Sequence, residues 1–162
     1  SGLHGVVRDI TDRKAVQEAL VKGAAAEARS EGLRRARQRV VVAQEAVKRM
    51  IPNRHGAVLF TGASASVKGY AQSASFAMGK FALRGLAQSM ARELHPQGLH
   101  IGHFVIDGGI RNPSRPDRVD AAAQPDSMLD PGSIAQCYWN FLQQDRSIWS
   151  WEIELRPWVE KF

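Results

Sequence analysis

Apolar positions along this chain repeat first with a helical period and then, past residue 55, in short runs separated by helical stretches. Leu33, Ala36, Val40, Ala43, Val47 and Met50 recur at spacings of three and four, which puts them on one face of a helix suited to packing on another helix. The stretch from Asp9 to Met50 is rich in Ala, Glu, Arg, Gln and Val and has no proline. Asp9 or Thr11 is placed to cap it, because a short side-chain oxygen accepts from first-turn amides. Gly23 and Gly32 weaken this helix at two points. Ile51-Pro52-Asn53 ends it, since proline removes a donor and restricts its neighbour.

The apolar run "AVLFTG" at 57–62 has the character of a parallel strand covered on both faces. Residues 73–94 predict an amphipathic helix with Phe76, Phe81, Leu83, Leu86, Met90 and Leu94 as its apolar members, stopped by "HPQG". A second strand is expected at 99–107 and a third, alternating, at 151–157. Between them lies a long Pro/Gly/Asp-rich loop, then Asp130-Pro131, a cap followed by proline at the first helical position. The order helix, strand, helix, strand, loop, helix, strand implies an α/β fold. Its expected form is a partial Rossmann-like three-layer sandwich, with a small parallel sheet and a long N-terminal helix.

Composition changes this picture in two places. The net charge of +6 sits in the first third: residues 1–55 hold 12 Lys/Arg against 6 Asp/Glu, while 56–162 hold 10 of each. The basicity therefore describes the N-terminal helix and not a basic active site. "GLRRARQRV" offers phosphate contacts but lacks aromatic stacking residues and a reading motif, so nucleic-acid binding is not expected. A single cysteine, Cys137, excludes an internal disulfide, fits a reducing, cytoplasmic compartment, and reads as a small buried apolar residue. There is no run of about 18 apolar residues and no apolar stretch near Ser1, so neither a membrane span nor a signal peptide is expected.

Two segments carry a resemblance. "GVVRDITDRKAVQEAL" (5–20) resembles the end of a PAS sensor domain and its linker helix, over about 16 residues and without the ligand pocket. "VLFTGASAS…SASFAMGKFALRGLAQSMARELHPQGLHIGHFVIDGGI" is similar to the second half of a short-chain dehydrogenase/reductase, and the likeness extends over 40–162. The chain thus divides into 1–39, a PAS-tail-like strand and basic helix, and 40–162, a truncated dehydrogenase-like domain. In that family a Ser-Tyr-Lys set works on a dinucleotide held by a Gly-rich loop after the first strand. No Gly-x-x-x-Gly-x-Gly occurs in these 162 residues. By the resemblance Lys80 matches the family Lys, Phe76 occupies the Tyr slot, Ala63 occupies the Ser slot with Ser64 and Ser66 adjacent, and Gly108 and Gly109 follow the next strand. Phe76 has no titratable proton to give a substrate. Neither NAD(P) binding nor hydride transfer is expected.

Chemistry that needs no dinucleotide is hydrolysis. Thr61, Ser64, Ser66, Lys80 and Asp107 are expected at the C-terminal ends of the strands, where α/β folds bind ligands. Ser64 or Ser66 beside an uncharged Lys80 suits attack on an activated ester. His103 and Asp107 share a strand face by parity, whereas His100 points to the other; the pair suits a divalent zinc or manganese ion that activates water on an ester or phosphoester. The competing class is a non-catalytic oligomerisation module. Without its preceding strands the edge of 57–62 stands open, to be covered by "LHGVVRDI" (3–10) or by a second chain. The resemblance also implies that helices 40–50 and 73–94 form a subunit bundle, so a homodimer or larger oligomer is expected, with the N-terminal helix open to exchange between chains.

Overall fold

A computed structural model describes Arg34 and residues 37–160. Helix α1 covers 37–50 and ends in a 3-10 turn at Ile51–Asn53, with Pro52 inside it, as the proline predicts. Strand β1 is Ala57–Thr61, helix α2 Ala74–Leu94, strand β2 His100–Ile106, helix α3 Pro131–Leu142 and strand β3 Glu152–Leu155. Asp130 caps α3 by accepting from the Ser133 amide at 2.8 Å. The expected caps Asp9 and Thr11, Gly23, Gly32 and the segments 3–10 and 5–20 lie outside the described residues.

The three strands pair in parallel in the order β1-β2-β3. β2 is the centre, and all seven of its residues are buried. Parity divides its side chains. Ile101 joins α1 and α2 residues, including Ala43, Val47, Leu83, Ala87 and Leu94, in one core. Phe104 and Ile106 join Phe141 of α3 in the other. This is the three-layer α/β arrangement expected from the element order, with helices on both faces.

Three expectations change. β1 is only partly covered, with Phe60 its one buried residue, because among the described residues β1 is the edge of the sheet and has a strand on one side alone. On α2, Leu83 and Leu94 are buried and Leu86 and Met90 pack against the core, but Phe76 (54% exposed) and Phe81 (46%) face outward. Leu83, Ala87, Ala91 and Leu94 already fill the sheet-facing stripe, and the two phenylalanines fall on other faces of the same helix. Cys137 is half-buried on α3.

Candidate functional site

The C-terminal ends of β1 and β2, the 3-10 turn Ser64–Ser66 and the N-terminal half of α2 meet above the sheet. Gly62 sits at the centre of this region. Its amide donates to the Phe104 carbonyl at 2.7 Å, continuing the ladder one residue past β1. A Cβ on Gly62 would lie 2.6 Å from His103 Nε2 and 2.8 Å from Ser66 Oγ, so only glycine lets the backbone pass this close. Beyond it opens a cleft of about 620 Å³, lined by Thr61, Ala63, Ile106, Gly108, Arg111 and Arg115 among others. Gly108 adopts φ 154°, and a Cβ there would meet Pro157 Cδ at 2.6 Å.

Each expected site residue can be placed. Lys80 Nζ reaches back from α2 and donates to the Thr61 carbonyl at 3.0 Å and the Gly62 carbonyl at 3.4 Å. It also stands 5.8 Å from the ring centroid of Phe76, one helical turn earlier. Burial, and then the charge of Arg39, pushes the Lys80 amine below its ordinary value. Ser66 Oγ is buried and accepts from the Ala63 amide at 3.1 Å, which closes the turn. The Ser64 hydroxyl helps to lower the Asp107 carboxyl. Neither serine contacts Lys80 in the hydrogen bonds of that amine, which go to backbone.

His103 and Asp107 lie on one face, as parity requires, but each is held by a different partner. Asp107 takes Lys68 at 2.8 Å and Arg156 at 3.4 Å. Burial raises its carboxyl, and Lys68, Ser64 and Arg156 together bring it below the ordinary value. His103 is fully buried and its Nδ1 is 2.9 Å from Glu152 Oε2. Burial lowers the His103 ring, outweighing the attraction of Glu152. Glu152 is also lowered: burial raises it, but a two-point bond from Arg84 at 2.7 and 2.8 Å and the His103 contact prevail. The consistent assignment is a neutral His103 donating Nδ1–H to an ionised Glu152. Its Nε2 is then an acceptor, buried and without a hydrogen-bond partner. Among the described residues no group of three His, Cys, Asp or Glu gathers as metal ligands. The expected zinc or manganese pair is thus brought to one face without a third donor, and cations and a carboxylate occupy both members.

Sequence reasoning missed Tyr138, whose hydroxyl from α3 is 2.9 Å from Thr61 Oγ1 beside the cleft. Burial raises its phenol, against the Thr61 hydrogen bond. It also missed Glu152 and Arg84, which sit too far apart in sequence to be paired by any spacing rule. The one signal was charge inside apolar stretches: Arg84 within α2 and Glu152 in an alternating strand.

This arrangement is closely matched elsewhere. Residues 38–115 match the family model for short chain dehydrogenase. Residues 38–115 belong to the short-chain dehydrogenase family. A short-chain dehydrogenase from Rhodopseudomonas palustris superposes at 36% identity and TM-score 0.55, covering 71% of this chain and 44% of its own. Serine dehydrogenase from Escherichia coli shares the fold at 15% identity and TM-score 0.58, over 76% of this chain and 50% of its own. The closed form of serine dehydrogenase complexed with NADP+ gives TM-score 0.63 at 16% identity, over 76% of this chain and 52% of its own. The chain spans about half the length of these proteins. None of the curated proteins matches it.

As a short-chain dehydrogenase scaffold, the chain anchors Lys80 of α2 at the end of β1. No Gly-x-x-x-Gly-x-Gly exists in the sequence, and the aromatic one turn before Lys80 is a phenylalanine. No helix among the described residues is long and apolar enough to cross a membrane.

Proposed function

We propose that this half-scaffold serves in assembly, holding like chains together, and does not transfer hydride. The observation that carries this is the exposed apolar face of α2. Met78 (47% exposed) and Phe81 face solvent, with Ala82 and Gly85 exposed beside them. A shallow apolar groove lined by Arg39, Val40, Gly79, Ala82, Leu83 and Leu86 runs between this face and α1. Gly79 and Gly85 have open space above them, so a partner helix approaches closely. Exposed large apolar groups next to small ones favour helix-on-helix burial, at roughly 25 cal/mol per Å². Light scattering during size exclusion tests the reading. The expected result is a dimer or larger species that Met78→Glu with Phe81→Glu converts to a monomer of unchanged circular dichroism. A wild-type monomer at micromolar concentration overturns it.

A second reading, hydrolysis of an activated ester, draws on one observation. Ser66 Oγ and His103 Nε2 both flank Gly62, and Glu152 holds the other ring nitrogen of His103. That order of hydroxyl, imidazole and carboxylate is the one nucleophilic hydrolases use. Both Ser66 and His103 are buried, so a substrate would need the 64–66 turn to open. Reaction of the protein with a fluorophosphonate probe, with Ser66→Ala and Ser64→Ala as comparisons and with zinc or manganese added or chelated, decides it. Absence of label at either serine under every metal condition removes this reading.

A further inference from the structure

We propose that residues 5–10 of the same chain, Gly5-Val6-Val7-Arg8-Asp9-Ile10, dock along the outer edge of β1 as a parallel strand. The site is described on three sides. Among the described residues β1 is the sheet edge and pairs only with β2. The bonds from Gly62 N to Phe104 O and from His100 N to Gly56 O direct the even positions of this segment toward β2. By alternation, the amides and carbonyls of Ala57 and Leu59 point outward. The edge sequence "AVLFT" carries no Lys, no Pro and no bulge, the devices that keep an edge unpaired.

Beside the edge lies an apolar groove of about 360 Å³ lined by Arg39, Val42, Ala46, Val58, Leu59 and Phe60, with Gln38 at its α1 end. Val42, 68% exposed, stands over it. The occupant follows from where the chain enters. Arg34 and residues 37–50 are helical, and Gln38 and Arg39 of that helix line the groove, so the upstream chain joins the fold within about a turn or two of it. Among residues 1–36, only 3–10 has the β-branched, Ala-free character of a strand. A parallel direction is the one that a helical crossover between neighbouring strands gives, and α1 is the helix immediately before β1. Residues 11–36 give ample chain for the return, and Gly23 permits a reversal within them. This edge is separate from the α1–α2 face used for assembly, so either proposal can fail alone. The PAS-tail-like residues 1–39 would then complete the sheet of the dehydrogenase-like domain.

Hydrogen exchange on the full chain tests it. The Ala57 and Leu59 amides are expected to be protected, and to exchange faster by about tenfold or more in Val6→Pro/Val7→Pro, while the Val105 amide in the sheet centre keeps its protection. Rapid exchange at Leu59 in the unaltered chain overturns the proposal whether or not the variant folds. A second measurement identifies the occupant: Val7→Cys with Leu59→Cys, in a Cys137→Ser background, treated with a short-arm thiol cross-linker. Cross-linking within one chain is expected. Products solely between chains assign the edge to a second copy and overturn the proposal, as does the absence of any product.

Discussion

The imidazole of His103 is enclosed on every side, bonded through Nδ1 to Glu152 and left with an unpartnered Nε2 facing Gly62. Charged groups face it from two elements: Arg84 and Lys80 of α2, and Glu152 of β3. Its folded-state pKa is depressed, so the unfolded chain takes up a proton first, and stability falls as pH drops below the unfolded value of about 6.5. Asp107 and Glu152 are also depressed, but their contribution is present above the ordinary carboxylate range and is lost only as pH falls through and below about 4. Two acid windows follow. We expect the urea midpoint of the wild type to fall between pH 7 and 5, and that of His103→Gln, which keeps a donor for Glu152, to fall less. Equal slopes for the two proteins would place the dependence elsewhere. Gly62→Ala is expected to cost about 1–3 kcal/mol, because its methyl would press on His103 Nε2 and Ser66 Oγ in a packed interior. Thermal denaturation reads that cost as a lowered Tm.

At the level of elements, α2 and β3 are tied by one polar clasp. Arg84 grips Glu152 through two hydrogen bonds and lies 5.6 Å from the Trp151 ring. A planar guanidinium makes both bonds, and an ammonium cannot. Arg84→Lys is expected to lose about 1 kcal/mol, a figure kept small because the Arg84 side chain is 36% exposed. Chemical denaturation of the two proteins at pH 7 measures it. The helices and strands themselves were legible from apolar period and from stops such as Pro52 and Asp130-Pro131. Each predicted strand runs one to three residues longer than observed, because sequence pattern does not mark where the paired ladder stops. Which way Phe76 and Phe81 turn was not legible: both are apolar, and only the completed packing of Leu83, Ala87 and Leu94 shows that the buried stripe is full. The Arg84–Glu152 and Lys68–Asp107 pairs were hidden for a different reason, since sequence patterns report neighbours on one element and these bonds join two.

For the molecule as a whole, the small parallel sheet with helices on both faces is that of the short-chain dehydrogenase fold from β1 onward. The lack of a Gly-x-x-x-Gly-x-Gly in these 162 residues, together with Phe76, leads to a direct expectation. Phe76→Tyr restores a phenol one turn before Lys80 at an exposed position, so stability should stay within about 0.5 kcal/mol of wild type. Nucleotide binding should not appear with it: titration of this variant with NADH and NADPH, followed by nicotinamide fluorescence, is expected to show no saturation. Saturable binding would mean that the chain holds the cofactor by contacts other than the family's glycine loop.

The all-parallel order of the sheet also governs how the chain reaches this state. No two strands are joined by a hairpin: residues 62–99 separate β1 from β2, and residues 107–151 separate β2 from β3. Each pairing must therefore close a long loop before it gains anything, whereas α2 forms from contacts within a few residues. Helices should appear early in refolding and the sheet late. During that interval the run "AVLFT" is an unpaired, uncharged strand, and refolding yield should fall with rising protein concentration as such strands find one another before β2 arrives.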